Sequence, residues 1–396
     1  MSPSVTLFCL LCAALALAAS PSAAQTPEPS PGWAGFTRTF DAQAAGARVV
    51  GASAVLVRDG RIVARHDYGF ADQAKGQRVN EGTLFHYGSI TKTLTAIAVL
   101  QLRDRGKLSL DDKVTRWIPE LRQVHDPYGA IDSITLRMLL SHSAGFQGPT
   151  WPYTEGRPWE PFEPTTWAQL VAMMPYQELH FRPGSQYGYS NPAYVYLARI
   201  IEQITGDPWE VYVQKNIFAP LGLNRSYFGV TPYYLADDRS NNYSLVRDVE
   251  KGEHVRENGR EFDPGITIPN SGWNAPLTDL ATYAAFLTGS THGDANLARL
   301  YDTVLSRATL QEMWRPVLAK GEEDPNESMG LGFFILRSGK DTFIGHTGSQ
   351  AGFRAFLWIN PANSTAVIAA INTENLIPDS PSVITTIQKA ALELLR

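Results

Sequence analysis

Apolar and polar positions change rhythm twice along the chain. Residues 49–57 and 62–68 are β-rich runs, and the Asp59-Gly60 pair between them signals a two-residue hairpin turn. Just upstream, Trp33, Phe36 and Phe40 recur at helical spacing and predict a short amphipathic helix. Residues 93–102 are almost continuously apolar and give way to Arg103, Asp104 and Arg105, so a buried helix is expected, opened at Ser89 and closed by Gly106. Between about 101 and 324 the pattern is helical and loop-like. There 108–114 and 135–140 read as short helices, the second capped by Thr135, and 192–204 reads as a longer helix with Gly206 just beyond. A further helix is expected from Thr278 as cap to Gly289 as terminator. Strand character returns at 332–337, 342–346, 352–359 and 365–372 with turn residues between, which implies an antiparallel meander. A last helix is expected from Ser380 as N-cap and Pro381 at its first position, with Ile384, Ile387, Ala391 and Leu394 on its apolar face. The fold class this predicts is α+β. One antiparallel sheet is built from both chain ends, about 45–100 and 325–396, flanked by helices, with a mainly helical region inserted at about 101–324.

Composition narrows the function more than the fold. At 396 residues and 44% hydrophobic, the chain has ample core for one large domain, 33–396. A net charge of -5 without basic clusters excludes a nucleic-acid partner. Residues 5–19 are apolar and run into Ser20-Pro21-Ser22-Ala23-Ala24, small at the -3 and -1 positions of a cut after Ala24. This predicts a signal peptide at 1–24, a Pro-rich linker at 25–32, and a secreted, periplasmic protein with no membrane span after signal removal. The lack of Lys or Arg ahead of the apolar run also fits an uncleaved anchor. Cys9 and Cys12 both lie in this segment, so a mature chain would hold no thiol for disulfides, nucleophilic catalysis or thiolate metal sites.

Three short motifs carry candidate chemistry. Ser89-Ile90-Thr91-Lys92 puts a hydroxyl and an ammonium three residues apart, on one face of a first helical turn. That end of a helix disfavours cations, so a partly buried Lys92 would have a lowered pKa and could take the proton of Ser89. An ordinary helix start fits the same two residues. Tyr189-Ser190-Asn191 precedes a helix and offers a second acid/base and a bifunctional amide, or a loop packed against a helix cap. Gly345-His346-Thr347-Gly348-Ser349 lies on a C-terminal strand whose glycines allow another backbone or a ligand to approach closely.

Together and in this order, the three resemble the motifs of the serine β-lactamase and penicillin-binding-protein superfamily. The match is to the branch holding class C β-lactamases, D-Ala-D-Ala carboxypeptidases, D-aminopeptidases and related esterases. Leu139-Leu140-Ser141-His142-Ser143-Ala144-Gly145, Phe181-Arg182-Pro183-Gly184 and Pro220-Leu221-Gly222-Leu223 are similar to that branch as well. The resemblance implies a β-lactamase/transpeptidase-like fold and a serine hydrolase that needs neither cofactor nor metal. It casts Ser89 as nucleophile, Lys92 as base and Tyr189 as proton relay. Asn191, His346, Thr347 and Gly348 would bind substrate, and the backbone N–H groups of Ser89 and Ser349 would form the oxyanion hole. The expected partner is a small ester, amide or D-amino-acid peptide. Carboxypeptidase or D-amino-acid peptidase activity, and a non-catalytic peptidoglycan or acyl-ligand binder, stay open beside the esterase or amidase reading.

Where many relatives carry lysine this chain has His346, largely neutral at pH 7, which leaves room for uncharged substrates. Residues 151–167 are aromatic and Pro-rich and fit either a pocket rim or loop packing. Residues 227–270 read as a solvated insertion, and His142 as structural.

Overall fold

The structure is a computed structural model that describes residues 32–148, 164–321, 325–378 and 382–396. The expected signal peptide, most of the linker, the aromatic stretch 149–163 and the expected cap Ser380-Pro381 lie outside the described residues.

Helix α1 (Trp33–Gly46) buries Trp33, Phe36, Phe40 and Ala44, the stripe its spacing predicts. It is followed by β1 (Gly51–Arg58) and β2 (Arg61–Asp72), joined through Asp59 and Gly60, both at positive φ as this hairpin turn demands. β3 (Gln77–Arg78) extends that edge. The C-terminal half supplies β9 (Leu318–Ala319), β10 (Glu327–Met329), β11 (Phe334–Ser338), β12 (Asp341–Gln350), β13 (Phe353–Asn360) and β14 (Thr365–Ile371). These nine strands form one sheet in the order β3-β2-β1-β14-β13-β12-β11-β10-β9, so both chain ends meet where β1 pairs antiparallel with β14. One face of the sheet carries α1 and the closing helix Val383–Leu392, packed over Phe356, Trp358 and Val367. The other face carries the larger core, through which α2 (Thr91–Asp104) runs fully buried from Thr91 to Leu102.

The inserted region adds two small sheets to its helices. In one, β4 (Leu84–His86) pairs with β8 (Trp273–Pro276), which pairs with β5 (Tyr227–Phe228). In the other, the hairpin β6 (Asn242–Asp248) and β7 (Gly252–Gly259) docks in parallel on β15 (Thr373–Asn375). The stretch 227–270 is therefore a folded part of the domain, tied down by the buried residues Leu235, Tyr243 and Leu245.

Three local readings differ from the sequence expectation. Residues 108–113 are turns, because Asp112 caps back to the Ser109 N–H and Arg137 N–H donates to the Leu110 carbonyl; a short helix begins only at Val114. Thr278 lies inside the helix Leu277–Thr288 and does not cap it, whereas Gly289, at φ +74, ends it as expected. α2 begins at Thr91, two residues later than its motif suggested, and ends with Gly106 N–H on Arg103 O and Lys107 N–H on Leu102 O.

Candidate active site

The chain leaves β4 through Tyr87-Gly88-Ser89 and turns tightly into α2. Bonds from Thr91 N–H to Gly88 O and from Lys92 N–H to Ser89 O make this a 3₁₀-type turn, so Ser89 sits just outside the helix, on a side still open to solvent. The three-residue spacing survives: Lys92 Nζ lies 3.0 Å from Ser89 Oγ. Lys92 is fully buried, and its other contacts are Asn191 Oδ1 at 2.8 Å and the Asn270 carbonyl at 3.0 Å.

None of these partners is a carboxylate, and burial alone holds the Lys92 ammonium well below its usual pKa of 10.5. As an ammonium, Lys92 donates to all three oxygens. As a free amine it donates to Asn191 and Asn270 and turns its lone pair toward the Ser89 O–H. Asn191, at the start of the helix Asn191–Thr205, is held by the Ser190 cap, whose Oγ accepts the Ala193 N–H at 3.2 Å. With its oxygen on Lys92, the amide NH₂ of Asn191 remains for another acceptor.

Tyr189 stands over Lys92, with Nζ 4.8 Å from the ring centre. Burial pushes its phenol above the usual 10, opposed by a polar contact with the Ser89 side chain. Tyr189 as a residue keeps partial exposure.

β12 brings the third motif to this point. A methyl built on Gly348 would lie 1.8 Å from Tyr87 O and 3.3 Å from Ser89 N, and one built on Gly88 would lie 2.6 Å from Ser349 N. Only glycine at both positions lets the two backbones lie this close. The approach brings the backbone around Ser89 against that around Ser349, and the Ser89 N–H has no acceptor among the described residues. Arg354 donates to Ser349 Oγ and pairs with Glu374 at 2.5 Å. The Ser349 side chain is thus already engaged.

His346 is buried and stacked on Phe334 at 4.4 Å, with Nδ1 2.5 Å from Thr347 O. Burial, reinforced by the charge of Lys92, pushes its pKa down to about 3, so it is neutral and presents no fixed positive charge. Thr347, the next residue on β12, keeps partial exposure. All the sequence-picked residues, Ser89, Lys92, Tyr189, Asn191, His346, Thr347, Gly348 and Ser349, gather at the junction of sheet and insertion.

Two participants were not picked. The Asn270 carbonyl is held against α2 because Thr95 Oγ1 donates to Pro269 O and Thr91 Oγ1 accepts the Trp273 N–H. Thr91 and Thr95, one turn apart in an apolar run, were the available signal that a backbone docks there. His86, on β4, is within hydrogen-bond distance of Asn274 Oδ1 at 2.9 Å and of Gln350 Oε1, at the end of β12, at 2.8 Å, and burial, with Arg239 nearby, pushes its pKa down to about 4. Among the described residues no three His, Cys, Asp or Glu side chains converge as a metal site, and no helix is long and apolar enough to cross a membrane.

Comparison with known proteins places this arrangement. The family model described as beta-lactamase matches residues 36–392. The chain belongs to the beta-lactamase family. Esterase EstB of Burkholderia gladioli is 35% identical over 195 residues, 46% of this chain and 48% of EstB. The chain spans about half the length of curated relatives of this kind. A D-stereospecific amidohydrolase from Streptomyces sp. superposes with a TM-score of 0.69 at 26% identity, covering 90% of this chain and 98% of the other. A class C beta-lactamase superposes with a TM-score of 0.71 at 20% identity over 91% and 97%, a likeness that shows the shared fold.

Proposed function

We propose that this beta-lactamase-family protein is a secreted serine hydrolase that cleaves an ester or amide bond through an acyl-enzyme on Ser89. The observation that carries this reading is Lys92, buried with no carboxylate among its described partners, 3.0 Å from Ser89 Oγ. Burial that disfavours the ammonium makes the Lys92 amine readier to take the Ser89 proton than a solvated lysine would be.

The reaction runs in two halves. Lys92 takes the Ser89 proton as Oγ adds to the substrate carbonyl, and the oxyanion forms between the Ser89 and Ser349 N–H groups. Tyr189 passes a proton to the departing alkoxide or amine as the carbon–oxygen or carbon–nitrogen bond breaks, leaving the acyl ester on Ser89. Lys92 hands its proton on to Tyr189, and water, deprotonated by the restored Lys92 amine directly or through Tyr189, then adds to the ester carbonyl. Collapse releases the acid and returns the proton to Ser89. Asn191 NH₂ and Thr347 flank the substrate.

The neutral, stacked His346 favours esters and uncharged amides, since no ammonium stands there for a substrate carboxylate. EstB is by name an esterase, and the Streptomyces protein a D-stereospecific amidohydrolase, which supports the same two bond types. The D-amino-acid amide or peptide is the second reading.

The test is turnover of a p-nitrophenyl acyl ester, a D-amino-acid amide, a D-Ala-D-Ala peptide and nitrocefin by wild type and Ser89→Ala, with fluorophosphonate labelling mapped by mass. Labelling at Ser89 and ester or amide turnover lost in Ser89→Ala are expected. Turnover that persists in Ser89→Ala, or binding without turnover, would sink the proposal.

A further inference from the structure

The helix Leu136–Leu140 ends in a Schellman turn, with Ser143 N–H on Met138 O at 2.9 Å and His142 N–H on Leu139 O at 3.3 Å. The left-handed position of such a turn belongs to glycine or asparagine, because a larger side chain crowds the following carbonyl. Here it is His142, at φ +54. A strained position filled by a bulky residue points to what its side chain does.

What His142 does is grip the three residues centred on Tyr189. Its carbonyl accepts the Gly188 N–H at 2.8 Å, and its Nδ1 accepts the Ser190 N–H at 3.1 Å. Its ring lies against the Tyr189 ring at 4.4 Å. Residues on both sides of Tyr189, and Tyr189 itself, are therefore set by one side chain and its own backbone. Because a backbone N–H donates to Nδ1, the imidazole proton is on Nε2. That nitrogen is buried without a partner among the described residues, so the bond to Ser190 is the one hydrogen bond that orients the ring there. Burial, with the charge of Lys92 next in weight, holds the ring neutral and keeps Nδ1 an acceptor.

We propose that His142 is a positioning residue for Tyr189: through the Ser190 bond and the ring contact it fixes where the phenol hydroxyl stands relative to Ser89. This deepens the proposed hydrolase reading and rests on it. Proton transfer requires heavy atoms within hydrogen-bond reach, and a displacement of about 1 Å costs on the order of 100-fold in rate. Sequence alone classed His142 as structural because its partners, a backbone N–H and a ring 47 positions away, carry no local pattern.

The experiment measures kcat, KM and Tm on the best substrate for wild type, His142→Phe, His142→Asn and Tyr189→Phe. Phenylalanine keeps the ring but cannot accept the Ser190 N–H. Asparagine keeps an acceptor and tolerates the left-handed turn but loses the ring. His142→Phe is expected to lower kcat about 10- to 100-fold with KM within about twofold, and His142→Asn to fall between it and wild type. Wild-type kcat in His142→Phe, or losses that track Tm and KM alike, overturn the positioning role. Should His142→Phe fail to fold, His142→Asn decides: lowered kcat at constant KM supports the role, and wild-type kcat overturns it. Wild-type kcat in Tyr189→Phe would instead remove the role given to Tyr189, and this inference with it. An inactive Tyr189→Phe beside fully active His142 variants removes only the inference.

Discussion

Lys92 at the start of α2 and Arg247 on the β6–β7 hairpin are both basic side chains within hydrogen-bond distance of oxygen, and they sit in opposite surroundings. Lys92 is buried among neutral acceptors and its charged form is disfavoured. Arg247 pairs with Glu253 at the surface, with its side chain 61% exposed. Water and salt screen the Arg247–Glu253 pair, whereas the described partners of Lys92 are neutral oxygens. Similar side chains thus give a basic group whose charged form is disfavoured in one place and an energetically quiet surface pair in the other. The comparison also covers backbone: Gly88 and Gly348 hold two chains in contact at the seam, while Gly252 at the hairpin tip has open space around it.

The largest expected effect belongs to the seam. Ser89→Ala should lower kcat by about 10⁴-fold or more with little change in Tm. Lys92→Met should cost about 10²- to 10⁴-fold in kcat while raising stability by on the order of 1–3 kcal/mol, since a buried lysine whose charged form is disfavoured is replaced by an apolar chain. Calorimetry and kinetics on the same samples check the pair; a destabilised Lys92→Met would show the ammonium to be a structural necessity. The sign of the pH dependence follows. Between the lowered Lys92 pKa and 10.5 the unfolded chain holds more protons, so the penalty of burial is felt in full below that window and eases as pH rises through it. Activity should rise with pH through the lower edge of the same window.

Gly348→Ala is the next largest. The added carbon would stand 1.8 Å from Tyr87 O, so the strands must part, at a cost of about 1–3 kcal/mol or more, and the oxyanion donors separate with a loss of about 10²- to 10³-fold in kcat. Gly252→Ala, at φ +64 in open space, should leave kcat unchanged; if the two variants behave alike, backbone contact at the seam is not what counts.

Acid should weaken the interior before the hairpin. His86 and His346 have pKa values near 4 and 3 when folded, below the usual 6.5. The unfolded chain therefore takes up protons first, and stability falls as pH drops from about 6.5 toward 3. Unfolding free energies from urea titrations at about pH 7 and 4.5 should differ less in His346→Leu, by on the order of 2 kcal/mol.

The smallest effects belong to the hairpin. Arg260→Ala, which strips two hydrogen bonds from the buried Asp72 carboxylate, should cost about 1–2 kcal/mol. Arg247→Ala should leave Tm unchanged. A large loss from Arg247→Ala would erase the contrast between the two regions.

Much of this site could be read before any coordinates. Ser89 and Lys92 are three residues apart, and a helical turn closes that gap whether the helix begins at Ser89 or at Thr91. Asp59-Gly60 and Gly289 also announced themselves, because a left-handed backbone restricts residue choice. The Asn270 carbonyl did not, since every residue has one. Nor did the pairing of β6 with β15, where strands more than a hundred positions apart meet in a stretch whose polar exterior hid the buried Tyr243 and Leu245.

By itself, the sequence determined the local geometry and the chemical inventory: which residues turn, cap and alternate, and which hydroxyl, amine and phenol are present. These depend on bonded neighbours and on short-range sterics. Tertiary structure alone decided that Lys92 is buried among described partners that carry no charge, that His346 is stacked and neutral, that the backbones at Gly88 and Gly348 meet, and that His142 contacts Tyr189. Each of these depends on desolvation or on contact between segments 47 to more than 250 residues apart, and such distances in space are set only when the whole core closes.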